Sequence, residues 1–255
     1  MRRAAAIIML WGALTLTACA SPRPKGPPVA VINRVLAGAP GAAQPSTIVA
    51  AEIAFARAAR EQGQWTAFKQ FAAPGALLHG KNGPFPIEPW LATQTDPPAA
   101  VQWEPRAVVL SCDGALAVSE GRSRTPDGKV GNFLTVWERQ PSGEYRYVFD
   151  AGGPDVPQPP SRPEVEEGDI LVTSIDAVRG MVASCPRSGA PIPPPHATPV
   201  GEEGKIDARL SGDGTLRWRW EHRADGTRFA AAEYFYQGRW LTAFEQSLAP
   251  EGEPK

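Results

Sequence analysis

The sequence predicts an α+β fold, and three observations predict it. Apolar residues recur at helical spacing only between Ser46 and Pro74. After Val101 the pattern changes to strand-like runs divided by the turn dipeptides Asp113-Gly114, Asp127-Gly128 and Ser142-Gly143, each of a kind that hairpins favour. The same strand-and-turn pattern returns late in the chain around Asp213-Gly214 and Asp225-Gly226. Helices followed by a curved meander belong to the α+β class, in which the helices cover one face of the sheet.

In chain order, residues 1–18 read as a signal peptide. Arg2 and Arg3 precede an uncharged stretch from Ala4 to Thr17, the charge-then-apolar order of a secretory signal. As a helix that stretch reaches about 21 Å, short of the roughly 30 Å hydrocarbon core, which argues against a permanent span. Leu16-Thr17-Ala18-Cys19 resembles the bacterial lipobox. The resemblance implies that Cys19 is lipidated and becomes the new N-terminus, anchoring the protein to a membrane by several acyl chains. Ala20 stands where an aspartate would mark inner-membrane retention, so the expected location is the cell envelope, at the outer membrane and facing the periplasm. Residues 19–45, rich in Pro, Ala and Gly, suit a disordered tether.

Ser46 is a plausible helix N-cap, with Ile48, Val49, Ile53, Ala56 and Ala59 on one face and Gly63 as a stop. Trp65, Phe68 and Phe71 give a second, aromatic-faced helix ending at Pro74, and Pro89-Trp90-Leu91 suggests a further short turn. Four strands follow: Gln102 to Ser111, Ala115 to Arg124, Val130 to Gln140 and Glu144 to Ala151. Together these make a domain over residues 46–153, followed by a Pro-rich linker at 154–169 and a β-rich extension at 170–248. In the extension Ile170 to Ile175 reads as a strand, the Pro-rich run from Pro186 to Pro199 as extended chain, and Lys205 to Gln246 as a four-strand meander. So small a meander has little room for its own core. It is therefore expected to pack on the first domain, through Trp218, Trp220, Tyr234, Tyr236 and Trp240, and to extend its sheet. A carbohydrate-stacking platform is the alternative role for those rings.

Composition narrows the function classes. With 26 basic and 27 acidic residues the net charge is −1, which argues against a nucleic-acid surface. Proline, 28 of 255 residues, is about twice the usual 5% and predicts long non-helical connections. Without Cys19, two cysteines remain, an even number in a compartment where disulfides persist. Cys112 and Cys185 either pair or stand as separately buried thiols; a bridge would stabilise by about 4 kcal/mol on chain-entropy grounds. His79, His196 and His222 show no ligand spacing with either cysteine, so no metal is expected. No Gly-rich phosphate loop or nucleophile elbow is present, and no cofactor is expected.

The run Ala51-Glu52-Ile53-Ala54-Phe55-Ala56, then Gln62 to Phe68, Trp103-Glu104-Pro105, Val136-Trp137-Glu138-Arg139 and Phe149-Asp150-Ala151-Gly152, resembles the nuclear transport factor 2-like superfamily, in its SnoaL-like secreted and lipid-anchored types. The resemblance implies a cone: a curved antiparallel sheet wrapped by the helices around an apolar pocket, often dimerising through the outer sheet face. Phe55, His79, Trp90, Trp103, Glu120, Trp137 and Asp150 are the residues expected at that pocket. Matching the ketosteroid isomerases of this superfamily puts His79 where their catalytic base stands, while their acidic donors fall at about Ala56 and Thr135, which cannot stabilise an enolate. The expected function is a lipid-anchored envelope protein that binds a small apolar or carbohydrate ligand or a partner protein without catalysis. The alternative is an isomerase- or cyclase-like enzyme using His79 as general base.

Overall fold

The computed structural model describes residues 43–160, 177–186, 191–198 and 205–250. Cys19, its lipobox, nearly all of the tether and the expected strand Ile170 to Ile175 lie outside the described residues.

Helix α1 (Pro45–Gln62) begins one residue before Ser46, with Gln44 at the N-cap and Pro45 in the first turn, where a missing N–H costs nothing. Its buried stripe is Ile48, Glu52, Phe55, Ala56 and Ala59, a helical spacing with one carboxylate set among apolar side chains. Gly63 then turns the chain at φ 115°, and a Cβ there would meet the Asp96 carboxylate at 2.2 Å. That close approach lets Asp96 accept hydrogen bonds from the Trp65 N–H at 2.6 Å and the Thr66 hydroxyl at 2.6 Å, fastening the start of α2 (Gln64–Phe71). The Thr66 hydroxyl chiefly holds the Asp96 pKa below its usual value.

Strands β1 (Ala72–Gly80) and β2 (Gly83–Pro86) precede the short α3 (Ile87–Leu91). The strands β3 (Gln102–Leu110), β4 (Leu116–Arg124), β5 (Val130–Arg139) and β6 (Tyr145–Pro154) follow the expected bounds closely, and β7 (Arg179–Val182) is added later. The seven-stranded sheet runs β2-β1-β6-β5-β4-β3-β7. It is mixed where an antiparallel sheet was expected, because β1 pairs parallel with β6 and β7 parallel with β3. β1 escapes a sequence reading because Pro74-Gly75 interrupts it; its pairing with β6 shifts register between Ala72 and Leu77 to accommodate them.

The meander β8 (Ile206–Leu210), β9 (Leu216–His222), β10 (Arg228–Tyr236) and β11 (Arg239–Leu248) forms a separate antiparallel sheet in the order β11-β10-β9-β8. It stacks on the first sheet instead of extending it: Val109, Val118, Leu134, Val136 and Phe149 share one core with Trp218, Trp220, Ala232 and Phe244. The opposite face of the first sheet packs on the helices through Val108, Leu110, Ala117, Trp137 and Tyr147. The result is three layers, with the seven-stranded sheet in the middle. Trp218 and Trp220 are buried, and Trp240 is buried with its indole N–H donated to the Pro193 carbonyl, so these three ring faces are not a carbohydrate platform. The outer sheet face, which the resemblance assigns to dimer contacts, is covered by the chain's own second sheet.

Cys112 and Cys185 are joined across 73 residues of sequence with Cα atoms 5.1 Å apart. The hairpin carrying Cys112 is also tied to the second sheet, since the Cys112 N–H donates to the Thr215 hydroxyl and the Asp113 N–H to the Asp213 carboxylate, each at 2.9 Å.

Candidate functional site

Strand alternation decides which side chains meet the helices. On β4 these are Ala117 and Ser119, and on β5 Thr135 and Trp137. On β6 simple alternation from Tyr147 would turn Phe149 toward the helices and Asp150 away. Instead Tyr147 pairs with Trp137 while Phe149 pairs with Val136, a register shift that inserts Val148 as an extra residue. Beyond this bulge the facing reverses, so that Asp150 lies opposite Thr135 on the helix side.

The centre of this space is a carboxylate brought by α1. One oxygen of Glu52 accepts the Ser119 hydroxyl at 2.5 Å and the Trp137 indole N–H at 3.1 Å; the other accepts the Trp103 indole N–H at 3.1 Å. Glu52 is fully buried, and desolvation pushes its pKa up to about 7 despite these donors, with the nearby Asp150 charge adding to the rise. Asp150 accepts the Thr135 hydroxyl at 2.7 Å, and burial pushes it up to about 6. Burial likewise raises the Tyr147 phenol, whose O–H is donated to the Phe68 carbonyl at 2.8 Å.

Between the helices and the sheet opens a pocket of about 260 Å³, walled by Phe55, Trp65, Phe68, Leu78, Trp103 and Phe133, with Asp150 also lining it. Arg228 of β10 reaches its edge, donating from one guanidinium nitrogen to the His79 and Gly152 carbonyls at 3.0 Å each. Gly153 permits this, because a Cβ there would lie 2.6 Å from the same guanidinium.

Of the residues expected at the pocket, Phe55, His79, Trp103 and Asp150 are among its lining. Trp137 does not: it is fully buried behind the pocket, holding Glu52. Trp90 packs edge-on against Trp65 at 4.8 Å and against Phe85, outside the lining. Glu120 points the other way, to the second sheet, and accepts a hydrogen bond from Gln246 at 3.0 Å, because it shares its strand face with Leu116 and Val118.

His79 also corrects an expectation. It borders the pocket, but its ring packs against Trp220 and Phe149 in the layer between the sheets. There its Nε2 meets His222 Nδ1 at 3.2 Å. Burial, then the charges of Arg228 and His222, lower its pKa to about 3. A ring so placed is not poised to take a proton from a ligand in the pocket. Glu52 went unassigned from sequence, although its spacing from Ile48 and Phe55 puts it on the buried stripe of α1.

No family model and no curated protein matches this chain. Among solved structures, a nuclear transport factor 2-like superfamily protein from Salmonella enterica serovar Typhimurium LT2 aligns at 16% identity. The alignment covers 56% of this chain and all of that one, with a TM-score of 0.28.

Proposed function

We propose that this chain is a nuclear transport factor 2-like, lipid-anchored envelope protein whose helix-side pocket binds a small, mainly apolar ligand. The pocket carries this reading: aromatic walls with one convergent carboxyl group are what small-molecule sites present. Asp150, with a pKa near 6, supplies the polar contact, as donor when protonated and as acceptor when ionised. The Cys112–Cys185 bridge suits an oxidising compartment, in keeping with export and with lipid attachment at Cys19. Native mass spectrometry of the chain from Ala20, exported to a periplasm and kept unreduced, tests the reading. A retained small-molecule mass that Asp150→Ala abolishes supports it; a clean apo mass together with no binding of apolar probes removes it. Loss of membrane fractionation in Cys19→Ser tests the anchor.

A second reading is favoured by the two buried carboxyl groups. A base tuned toward neutrality is suited to proton transfer, so Asp150 would serve as base with Glu52 behind it. If ligand binding survives in Asp150→Asn while any turnover is lost, catalysis is present; if the ligand is recovered chemically unchanged by the wild type, binding alone remains.

A further inference from the structure

Beside the pocket lies a second cleft of about 730 Å³, lined by Arg60, Arg106, Arg122 and Arg124, with Glu104 the one acidic residue of its lining among the described residues. The two spaces adjoin, because Trp103, Ser123 and Val130 line both. The arginines differ in commitment. Arg122 is bound to Asp155 through both guanidinium nitrogens and to Asn132, and Arg106 is 3.3 Å from Glu104. Arg60 and Arg124 are exposed; among the described residues Arg124 has a single hydrogen bond, 3.4 Å to the Gly128 carbonyl. Their charge is available to a ligand.

The polarity of the two spaces is opposed. An anionic group pushed into the aromatic pocket would be desolvated beside Asp150 and near Glu52, both carboxylates or their acids, at a large cost. Of the two cations that line the pocket, Arg228 is occupied by main-chain carbonyls and Lys129 is paired with Asp127 at 2.9 Å. An apolar group in the arginine cleft would gain little. A ligand with an apolar body and an anionic end satisfies both spaces in a single orientation.

We propose that the occupant is a short anionic amphiphile, with its apolar body between Phe55, Phe68 and Phe133 and its carboxylate, sulfate or phosphate head at Arg60 and Arg124. This rests on the pocket being a ligand site, as proposed above, and adds the ligand's chemical class. The pocket is smaller than the roughly 300–1,000 Å³ of drug-sized sites, so the body is a short chain or a single ring. Arginine suits the head because its planar donors match oxyanions.

Calorimetric titration of the chain from Ala20, which contains every described residue, distinguishes the two levels. The probes are decanoate, decanol, decyltrimethylammonium and acetate at pH 8 and low salt. Decanoate is expected to bind at least tenfold tighter than decanol or decyltrimethylammonium, and acetate not to bind measurably. The preference should shrink at 0.5 M NaCl, since exposed charges are screened. The double variant Arg60→Glu/Arg124→Glu, changed only at exposed positions, should lose the decanoate preference while keeping decanol affinity. Equal binding of decanoate and decanol overturns the anionic head yet leaves the pocket as a ligand site. Acetate binding as well as decanoate overturns the amphiphile. Binding of none of the four overturns both readings together.

Discussion

Trp103 donates its indole N–H to Glu52 at 3.1 Å, and this bond ties the wall of the pocket to the buried stripe of the first helix. Trp103 also lines both the pocket and the arginine cleft, so the protonation of a carboxyl group inside the core bears on a residue the ligand would touch. Ser119 can serve either state of Glu52. Its hydroxyl donates to the carboxylate at 2.5 Å, and it lies 3.3 Å from the Thr135 carbonyl, to which it can turn when Glu52 holds the proton.

That arrangement predicts a pH dependence with a definite sign. The pKa of Glu52 rises from 4.5 to about 7 on folding, so the native state binds the proton more tightly than the unfolded chain does. The stability this contributes is fully present below about 4.5 and lost as pH rises through 7. About 3 kcal/mol is at stake at roughly 1.4 kcal/mol per unit. Asp150 acts with the same sign between 3.8 and about 6. In urea unfolding from pH 4 to 8, Glu52→Gln should remove much of this loss. A variant whose pH profile superposes on the wild type would show that Glu52 does not titrate there.

His79 runs in the opposite direction. Its pKa falls from 6.5 to about 3 on folding, so its stabilising contribution is complete above 6.5 and declines as pH drops toward 3. Between about 4.5 and 6 the two carboxyl groups outweigh the histidine by one proton, so wild-type stability should fall there with rising pH by roughly 1.4 kcal/mol per unit. His79→Gln should steepen that fall, and Glu52→Gln should flatten it, because Asp150 and His79 then cancel. Equal slopes in the two variants would refute the assignment of these two groups.

Much of this arrangement was legible in the sequence because it rests on periodicity. The alanine-rich first helix, the aromatic-faced second, the four strands from Gln102 to Ala151 and the later meander all announce themselves by spacing and by Asp-Gly or Ser-Gly turns. What escaped depends on local exceptions or on pairing between distant segments. Pro74-Gly75 hides β1 behind a helix-stop signature, and four-residue β7 is a strand only by its pairing with β3. The facing of Asp150 turns on the bulge at Val148, which no alternation count contains. Glu52 carries no assignment from sequence because its donors, Ser119, Trp103 and Trp137, come from strands at least 51 residues away.

The Cys112–Cys185 bridge closes a 73-residue separation and fixes the end of β7 near the β3–β4 hairpin. Cys185→Ser should lower stability by about 2–4 kcal/mol, or roughly 5–15 °C in Tm at about 2–4 °C per kcal/mol. Because β7 is held to β3 alone among the described strands, hydrogen exchange at Met181 and Val182 should accelerate before that of β4 and β5. Unchanged Tm and exchange on reduction would show that neighbouring contacts, such as the Ser184 N–H donated to the Phe235 carbonyl at 2.8 Å, suffice alone.

Within the second sheet, Arg217 and Glu233 form a buried ion pair. The Arg217 Nε–H donates to the Glu233 carboxylate at 2.6 Å, and a second guanidinium nitrogen donates to the His196 carbonyl at 2.5 Å. Both side chains are under 10% exposed, so each charge depends on the other for solvation. Removing one partner leaves the other charged in a dry layer, which costs about 3–5 kcal/mol, whereas replacing both with apolar groups of similar size is often neutral. Glu233→Leu should therefore be strongly destabilising in denaturant unfolding, and Arg217→Met/Glu233→Leu should recover most of the loss. The recovery will be incomplete to the extent that the His196 carbonyl loses its donor, leaving a shortfall of about 1–3 kcal/mol. A double variant as unstable as Glu233→Leu alone would mean that the pair organises the segment around His196 and does more than neutralise a charge.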